Sequence, residues 1–251
     1  MLTIEDLIIP TNTVSDVPEE EYQQVTTLIA TFDSISRIIY QGMYIIDYNR
    51  QNFLYVSDTP LFFCGHTAKE VKEMGYRFYV DHVIEEEHPM LKEINTVGFN
   101  FFEKVPVEER DKCTISFDFH LISGKKKTLV NQQLTPILLT KEGHIWLAAC
   151  VLSFSSHPAP GNVILRITGR PFFWEYSLES HQRKEKTAIA LNEREKDILL
   201  LSTQGYSMNE IADKMCISLD TVRFYKRNLF ERLQVKNIVE AVSFAANYKL
   251  L

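Results

Sequence analysis

Alternating apolar and polar positions mark the strands in the first two-thirds of the chain. Between Cys113 and Ser123 apolar side chains recur at every second position, the pattern of a strand with one buried face. Similar stretches at 128–140 and 144–155, separated by glycine-containing turns, predict two more strands. Three sequential strands joined by tight turns predict an antiparallel meander.

Helical periodicity surrounds these strands. An irregular arm is followed by a predicted helix from 19 to about 40, whose apolar residues are spaced three and four apart. Such spacing suits either a helix packed on its own domain or a pairing surface between two copies, formed by Leu28, Phe32 and Ile35. Further along, the chain predicts a hairpin at 43–48 and 52–57, short helices at 59–63 and 67–74, and a helix from about 86 to 102.

Three short amphipathic helices with explicit start signals fill the last sixty or so residues. Asn192 with Glu195, and Ser207 with Glu210, have the spacing of capping boxes, and Ser218 can cap the third helix. A short turn joins the second and third helices. That arrangement defines a helix-turn-helix, in which the second helix of the pair enters the DNA major groove.

The third helix carries the candidate DNA contacts. Arg223 and Arg227 are predicted to read bases, because arginine bonds guanine O6 and N7 in bidentate fashion. Lys226 and Arg232 suit phosphate contacts, and Phe224 or Thr221 suits a thymine methyl group. The alternative is a solvated charged face on a core helix. The predicted DNA-contacting set is Ser218, Thr221, Arg223, Phe224, Lys226, Arg227 and Arg232.

The charge is distributed unevenly along the chain, and the length is sufficient for two domains. The 251 residues carry a net charge of -6, and two domains of ordinary size fit this length. From Lys184 onward there are 11 basic and 9 acidic residues, a net of +2, which leaves 16 − 24 = −8 for the preceding part. Only the tail is therefore expected to touch phosphate. No signal peptide or membrane-spanning run is evident, which favours a cytoplasmic protein.

Candidate chemistry is sparse. The four cysteines, Cys64, Cys113, Cys150 and Cys216, are too widely spaced for a metal site, and disulfides are not expected. None of the seven histidines belongs to a recognisable catalytic or metal-binding motif. We therefore expect neither an enzyme nor a metalloprotein.

The stretch from about Tyr40 to Ser155 resembles the PAS fold. The resemblance rests on the opening GMYIIDYNRQNFLYVSDTPLFFCGHTAKEV and on the three closing strands from ISFDFHLISG to LAACVLSFS. It implies a sensor domain, and strand alternation suggests a pocket bounded by Phe117, Phe119 and Cys150. The cofactor is left open: a small molecule is one candidate, and haem, which some PAS domains bind, is not tied to a particular histidine.

The tail closely resembles the LuxR-type (GerE-type) DNA-binding domain of bacterial regulators. Departures from the family pattern are Tyr225 where His is usual, Gln234 where Gly is usual, and Ile238 where Arg is usual. The resemblance implies that a fourth helix, at about 237–248, pairs two copies through Val239, Val242 and Phe244. The matching residues are Leu191, Arg194, Glu195, Glu210, Ile211, Ala212, Ile217, Ser218, Thr221, Val222, Leu233, Val235, Glu240 and Ala241.

Together these patterns predict an α+β protein in which a PAS-like antiparallel sheet with short helices precedes an all-α four-helix helix-turn-helix domain. The expected function is a transcription regulator that binds double-stranded DNA as a homodimer, with RNA polymerase as a further candidate partner. In the alternative, the PAS-like domain binds no ligand and serves only dimerisation or protein interaction. A hairpin at 162–178 either extends the sheet or joins the domains, and 181–186 is interpreted as a linker. The expected segments are an arm and helix at 1–40, the sensor at 41–156, the hairpin and linker at 157–186, and the DNA-binding domain at 187–251.

Overall fold

Eight strands form one antiparallel sheet within the residues that the structure describes. The structure, a computed structural model, describes residues 2–15, 17–187, 189–247 and 250. The chain divides into two units, Met1–Thr187 and Ala188–Leu251, and the sheet belongs to the first. The strands are β1 (Gly42–Asp47), β2 (Asn52–Val56), β3 (Cys113–Ser123), β4 (Lys126–Leu139), β5 (Ile145–Phe154), β6 (Gly161–Ile167), β7 (Phe172–Ser177) and β8 (Gln182–Thr187).

The strand order confirms the PAS-like prediction. It reads β2-β1-β5-β4-β3-β6-β7-β8, with every neighbouring pair antiparallel. The first five strands therefore form the predicted meander, completed by the early hairpin. Register is set by buried partners such as Phe119 opposite Val130 and Tyr44 opposite Cys150.

Strands β6 to β8 extend the sheet at the β3 edge. The hairpin of β6 and β7 therefore extends the PAS-like sheet, which decides between the two alternatives left open for it. The prediction of a linker at 181–186 is wrong, because β8 pairs with β7 along its length from Phe172–Thr187 to Ser177–Gln182. All six residues of β8 are exposed, so no apolar alternation marks it as a strand. A charged sequence is a common protection for an edge strand.

Helices cover both faces of the sheet. Helix α2 (Glu19–Ser36) packs on one face, where Val25 joins Ile45, Tyr55 and Leu147 in a buried cluster. Leu28 and Phe32 are half-buried against the same cluster, so packing on its own unit accounts for these two residues. Ile35 is 39% exposed. The larger core lies on the other face, under α3 (Ala68–Met74), α4 (Arg77–His82) and α5 (His88–Phe102).

The N-terminal arm is more regular than its sequence predicts. It contains a one-turn helix α1 (Ile4–Leu7), capped by Thr3, and a 3-10 turn at Pro10–Asn12. Contacts with α5 hold the arm in place. The backbone amide of Leu2 donates to Nδ1 of His88 at 3.0 Å, and Lys92 Nζ donates to Asp6 Oδ1 at 2.6 Å. These partners lie 86 residues away along the chain, so local sequence could not reveal them.

The second unit is helical throughout its described elements. It contains α6 (Glu193–Thr203), α7 (Met208–Lys214), α8 (Leu219–Leu233) and α9 (Ile238–Asn247). Both predicted capping boxes are formed, and Ser218 caps α8 by accepting from the Thr221 amide at 3.1 Å. The predicted end of the fourth helix at Tyr248 lies outside the described residues. In the part of the chain that the structure describes, no helix is long and apolar enough to cross a membrane.

Candidate functional sites

Helices α7 and α8 form the helix-turn-helix. Met215 caps the end of α7, Cys216 turns the chain with a positive φ of 53°, and Ser218 caps the start of α8. A buried cluster of Ile198, Ile211, Ala212 and Val222 holds the two helices against α6. The inner face of α8 is therefore fixed, and its opposite face points to solvent.

That outer face carries three of the predicted contacts. The side chain of Arg223 is 57% exposed, and its Nη1 donates to Asp220 Oδ1 at 3.0 Å. Phe224 is 51% exposed, and the Arg227 guanidinium lies 5.9 Å from the centre of its ring. Among the described residues Arg227 has no acidic partner within 4.0 Å. Arg227 can thus meet a ligand without first breaking an ion pair, whereas Arg223 must release Asp220.

Lys226 and Thr221 sit at the edge of this face. The Lys226 Nζ lies 5.9 Å from the centre of the Phe230 ring, and burial lowers the pKa of Lys226. A nearby phosphate would offset that cost by supplying a negative charge. Thr221 is half-buried, and its hydroxyl pairs with that of Ser218 at 2.8 Å. Both hydroxyls therefore belong to the N-terminal cap of α8.

Arg232 has partners within its own unit that the sequence did not reveal. Its Nη1 donates to Glu195 Oε1 at 2.5 Å, and its Nη2 donates to the Ala190 carbonyl at 2.6 Å. Glu195 is almost fully buried, and its second oxygen accepts from the Asn192 amide at 2.9 Å. The arginine therefore ties the end of α8 to the start of α6. This partner lies 37 residues away and was not foreseen from the sequence, and the phosphate contact of Arg232 stays a prediction.

Five residues of this surface were not predicted to contact DNA. An open groove beside α8 is lined by Arg223, Lys226 and Arg227 together with Met208, Phe230, Glu231, Gln234 and Val235. Met208 follows the Ser207 cap and is 39% exposed. The one sequence signal that could have identified Met208 is its position, the first of a helix, where its side chain is exposed.

The predicted pairing residues of α9 differ in accessibility. Val239 is 74% exposed, whereas Val242 and Phe244 are half-buried against a cluster containing Leu199, Leu229 and Ala241. The apolar face of α9 thus serves the core of its own unit first. Val239 is the residue best placed to meet another surface.

The first unit contains a partly open cavity of about 110 Å³ between the sheet, α5 and the arm. Of the predicted pocket residues, Phe117 lines it. Phe119 instead borders a much smaller void of about 10 Å³, and Cys150 is fully buried without lining either. One of the three predicted pocket residues therefore lines the cavity, and most of the wall was not predicted. That wall consists of Leu7, Asn12, Ile46, Tyr48, Tyr76, Tyr79, Leu91, Ile94, Asn95, Gly98, Phe99, Phe101, Phe102, Cys113, Thr114, Ile115, Phe117, Gln132, Leu134, Pro136, Ile145 and Leu165.

Tyrosine hydroxyls supply most of the polarity inside this core. Tyr79 donates to Gln132 Oε1 at 3.4 Å and shares a hydrogen bond with the Tyr44 hydroxyl. The hydroxyl of Tyr76 is buried and has no hydrogen-bond partner within the described residues. Burial raises the pKa of Tyr76 and of Tyr48, so both remain protonated.

Two histidines form a hydrogen-bonded pair outside the cavity. His66 Nε2 and His82 Nε2 are 2.9 Å apart, and His82 Nδ1 donates to the Ile122 carbonyl at 3.0 Å. A carbonyl only accepts, so a neutral His82 accepts from His66. Neither residue lines the cavity, and none of the lining residues is a histidine. Within the described ranges, no group of three or more His, Cys, Asp or Glu side chains could hold a metal ion.

Helix α5 connects the cavity with the last two strands. Phe101 lines the cavity and also contacts the Trp174 ring of β7 at 5.1 Å and the Arg183 guanidinium of β8 at 5.5 Å. On the same helix, Glu93 Oε1 accepts from the Tyr176 hydroxyl and from His181 Nδ1, each at 2.6 Å. Burial acts to raise the pKa of Glu93, but these two hydrogen bonds outweigh it and lower the pKa. A shift of α5 would therefore reach the strand that precedes the second unit.

The capped α7–turn–α8 arrangement with its basic outer face is that of a helix-turn-helix regulatory domain. Residues 190–245 match the family of bacterial regulatory proteins described as the luxR family. The second unit is a LuxR-type helix-turn-helix domain, as its sequence predicted.

Two curated relatives share this segment. The oxygen regulatory protein NreC of Staphylococcus carnosus is 39% identical over 61 residues, which are 24% of this chain and 28% of NreC. The response regulator protein VraR of Staphylococcus aureus is likewise 39% identical over 61 residues, 24% of this chain and 29% of VraR. The match thus spans less than a third of either relative.

Two solved structures resemble a larger part of this chain than the curated relatives do, but at lower sequence identity. Vibrio cholerae VqmA is similar over 90% of this chain and 88% of its own, at 15% identity and a TM-score of 0.35. The PAS domain of Bordetella pertussis BvgS is similar over 54% of this chain and 89% of its own, at 16% identity and a TM-score of 0.35. Likeness of this degree bears neither on function nor on shared ancestry.

Proposed function

We propose that this protein is a DNA-binding transcription regulator in which the PAS-like unit senses a signal and controls the LuxR-type domain. The observation that carries the proposal is the exposed basic face of α8, fixed by the capped turn after α7. A helix held in this way can enter the major groove with its N-terminal half on the base edges. A function at DNA also implies a cytoplasmic location, and no catalytic role is assigned.

Arg227 is the leading base-reading residue in this proposal. It is exposed, lacks an acidic partner among the described residues, and lies beside the Phe224 ring. Bidentate bonding to guanine would satisfy its guanidinium. Arg223 is the second candidate, and Phe224 is positioned for a thymine methyl group. Lys226 is assigned to the phosphate backbone.

The regulator is proposed to act as a homodimer. Val239 offers an exposed apolar contact on α9, and Ile35 offers another at the end of α2. A dimer reads two half-sites about one helical turn apart. RNA polymerase is a further proposed partner, to be tested by transcription from the selected operator with purified polymerase.

Signal transfer is proposed to follow α5. An occupant of the cavity would contact Phe101, and the same side chain packs against Trp174 and Arg183 near the end of the first unit. A ligand changes the output only if it favours one arrangement over another. The proposal is therefore a population shift between two placements of this edge of the sheet.

The test begins with selection of an operator from random double-stranded DNA by the full-length protein. Arg227→Ala should then weaken operator binding by about 1–3 kcal/mol and relax preference at one base pair. Lys226→Ala should weaken binding to all sequences alike and reduce the salt slope by about one. Arg223→Ala is the matched control, with a smaller expected loss because Arg223 must first leave Asp220.

Two results would count against these assignments. An equal loss across all sequences would move Arg227 to the phosphate-contacting class. Failure of the unmodified protein to enrich any DNA sequence, at low as well as moderate salt, would overturn the proposed function itself.

A further inference from the structure

The cavity of the first unit has the size of a single-ring ligand. Its volume is about 110 Å³. For comparison, an apolar cavity of about 150 Å³ in another protein binds benzene. Most of its wall is aliphatic or aromatic, which favours a flat, largely apolar occupant.

Charge is excluded from this cavity. Among the described residues, its wall contains leucine, isoleucine, phenylalanine, tyrosine, asparagine, glutamine, threonine, cysteine, glycine and proline, but no Asp, Glu, Lys, Arg or His. A charged ligand would lose its hydration without gaining a counter-ion, at a cost of several kcal/mol. The occupant must therefore be neutral.

Tyr76 gives the cavity its specific polar feature. Tyr76 is 5% exposed, lines the cavity, and carries a hydroxyl that lacks a partner among the described residues. A buried unpaired hydroxyl costs free energy, which a hydrogen-bond acceptor on the occupant would recover. The ring of Tyr76 is held in place by an edge contact with Phe53, with centres 5.9 Å apart. The donor is thus positioned before any ligand arrives.

The N-terminal arm closes one side of the cavity. Leu7 and Asn12 of the arm belong to the wall. Asn95 of α5, itself a lining residue, donates to the Leu7 carbonyl at 3.2 Å. Together with the Lys92–Asp6 contact, this hydrogen bond holds the arm in place as part of the cavity wall.

We propose that this cavity binds a neutral, single-ring, mainly apolar molecule that presents a hydrogen-bond acceptor to the Tyr76 hydroxyl. The inference deepens the proposed function, because it rests on the first unit being the sensor and specifies the class of signal. It also opposes the alternative in which that unit serves only dimerisation.

The test uses three probes with the same planar skeleton: acetophenone, α-methylstyrene and benzoate. They present a neutral acceptor, no acceptor and a negative charge, respectively. Dissociation constants are measured with the full-length protein by ligand-observed NMR. Acetophenone should bind at least about a hundredfold more tightly than benzoate, because the wall offers no counter-ion.

Tyr76→Phe isolates the hydroxyl. It should reduce the preference for acetophenone over α-methylstyrene by about two- to tenfold, the effect of one hydrogen bond. Removing an unpaired hydroxyl should leave the protein at least as stable, so loss of folding is not a concern. Tyr55→Phe, on the opposite face of the sheet in the α2 cluster, is the matched control and should leave the preference unchanged.

Three outcomes would overturn the inference: no binding of any probe, equal binding of benzoate and acetophenone, or a preference that Tyr76→Phe does not alter. The probes are measured without DNA, which separates this inference from the proposed function. A protein that binds its operator but none of the probes remains a regulator, and its cavity is then not a ligand site of this class. A protein that binds acetophenone but no DNA retains the ligand site and loses the regulatory role.

Discussion

Replacing Arg232 by alanine should destabilise the second unit selectively. The substitution leaves the buried Glu195 carboxylate, whose side chain is 3% exposed, without its cation. Removing one partner of a fully buried ion pair costs about 3–5 kcal/mol. The Arg232 side chain is 43% exposed, so water can replace part of the interaction. We therefore expect a loss of about 2 kcal/mol, at the low end of the range for charged hydrogen bonds.

That loss corresponds to a melting temperature lowered by about 8–16 °C for a unit of this size. The assay exploits the positions of the two tryptophans, Trp146 and Trp174, which both lie in the first unit. Far-ultraviolet circular dichroism of the full-length protein should show an earlier helix-melting step, while tryptophan fluorescence melts as before. Arg223→Ala, which breaks an exposed ion pair, is the control and should change stability by less than about 0.5 kcal/mol.

A second variant tests the cause of the effect. Adding Glu195→Gln to Arg232→Ala removes the uncompensated charge, so the double variant should be more stable than the sum of the single losses predicts. The reasoning would be refuted if Arg232→Ala shifted the helix-melting step no further than Arg223→Ala. A uniform loss of DNA affinity without any loss of stability would instead support the predicted phosphate contact of Arg232.

The remaining predictions concern α8, α9 and the arm. Gln234→Gly should stabilise the second unit by about 1 kcal/mol in urea unfolding, because Gln234 has a left-handed φ of 56° at the end of α8; no gain would mean that its side chain compensates. Val239→Glu should weaken dimerisation in sedimentation equilibrium without unfolding the protein, whereas Leu200→Glu, at a comparably exposed apolar position, should not. Equal effects of the two would exclude α9 as the pairing surface. Lys92→Met should make the arm more sensitive to proteases. The hydrogen bond from Lys92 is the main cause of the lowered pKa of Asp6, about 2, so in the unmodified protein this tether is present above the ordinary carboxyl pKa of 3.8 and is lost only as pH falls through about 2. Unchanged cleavage of the variant at neutral pH would show that the other arm contacts suffice.

Features encoded by neighbouring residues could be predicted from the sequence. The starts of α6, α7 and α8 were located correctly because each cap and its partner lie three residues apart. Strand β3 was equally clear, since only one of its faces carries a continuous apolar row. In both cases the interaction joins residues that are close in sequence, so it produces a recognisable spacing of residue types.

Features that depend on distant partners could not be predicted in this way. Strand β5 is buried on both faces, so alternation alone could not show that Cys150, although part of the larger core, does not line the cavity. Strand β8 is defined only by backbone pairing to β7. Arg232 resembles its exposed neighbours in sequence, and only the fold brings it to Glu195. Charge and periodicity alone do not distinguish these cases.

The position of β1 in the sheet has a consequence for synthesis on the ribosome. Every residue of β1 is buried, and its neighbour on one side is β5, with Asp47 opposite Leu147. Those two residues are separated by 147 − 47 = 100 positions. At about 5–20 residues per second, the nascent chain waits about 5–20 s with an apolar strand edge unpaired. Slower chain elongation or a truncated message would prolong that exposure, so the yield of folded protein in cells should depend on how rapidly β5 emerges and on chaperones that shield β1 until then.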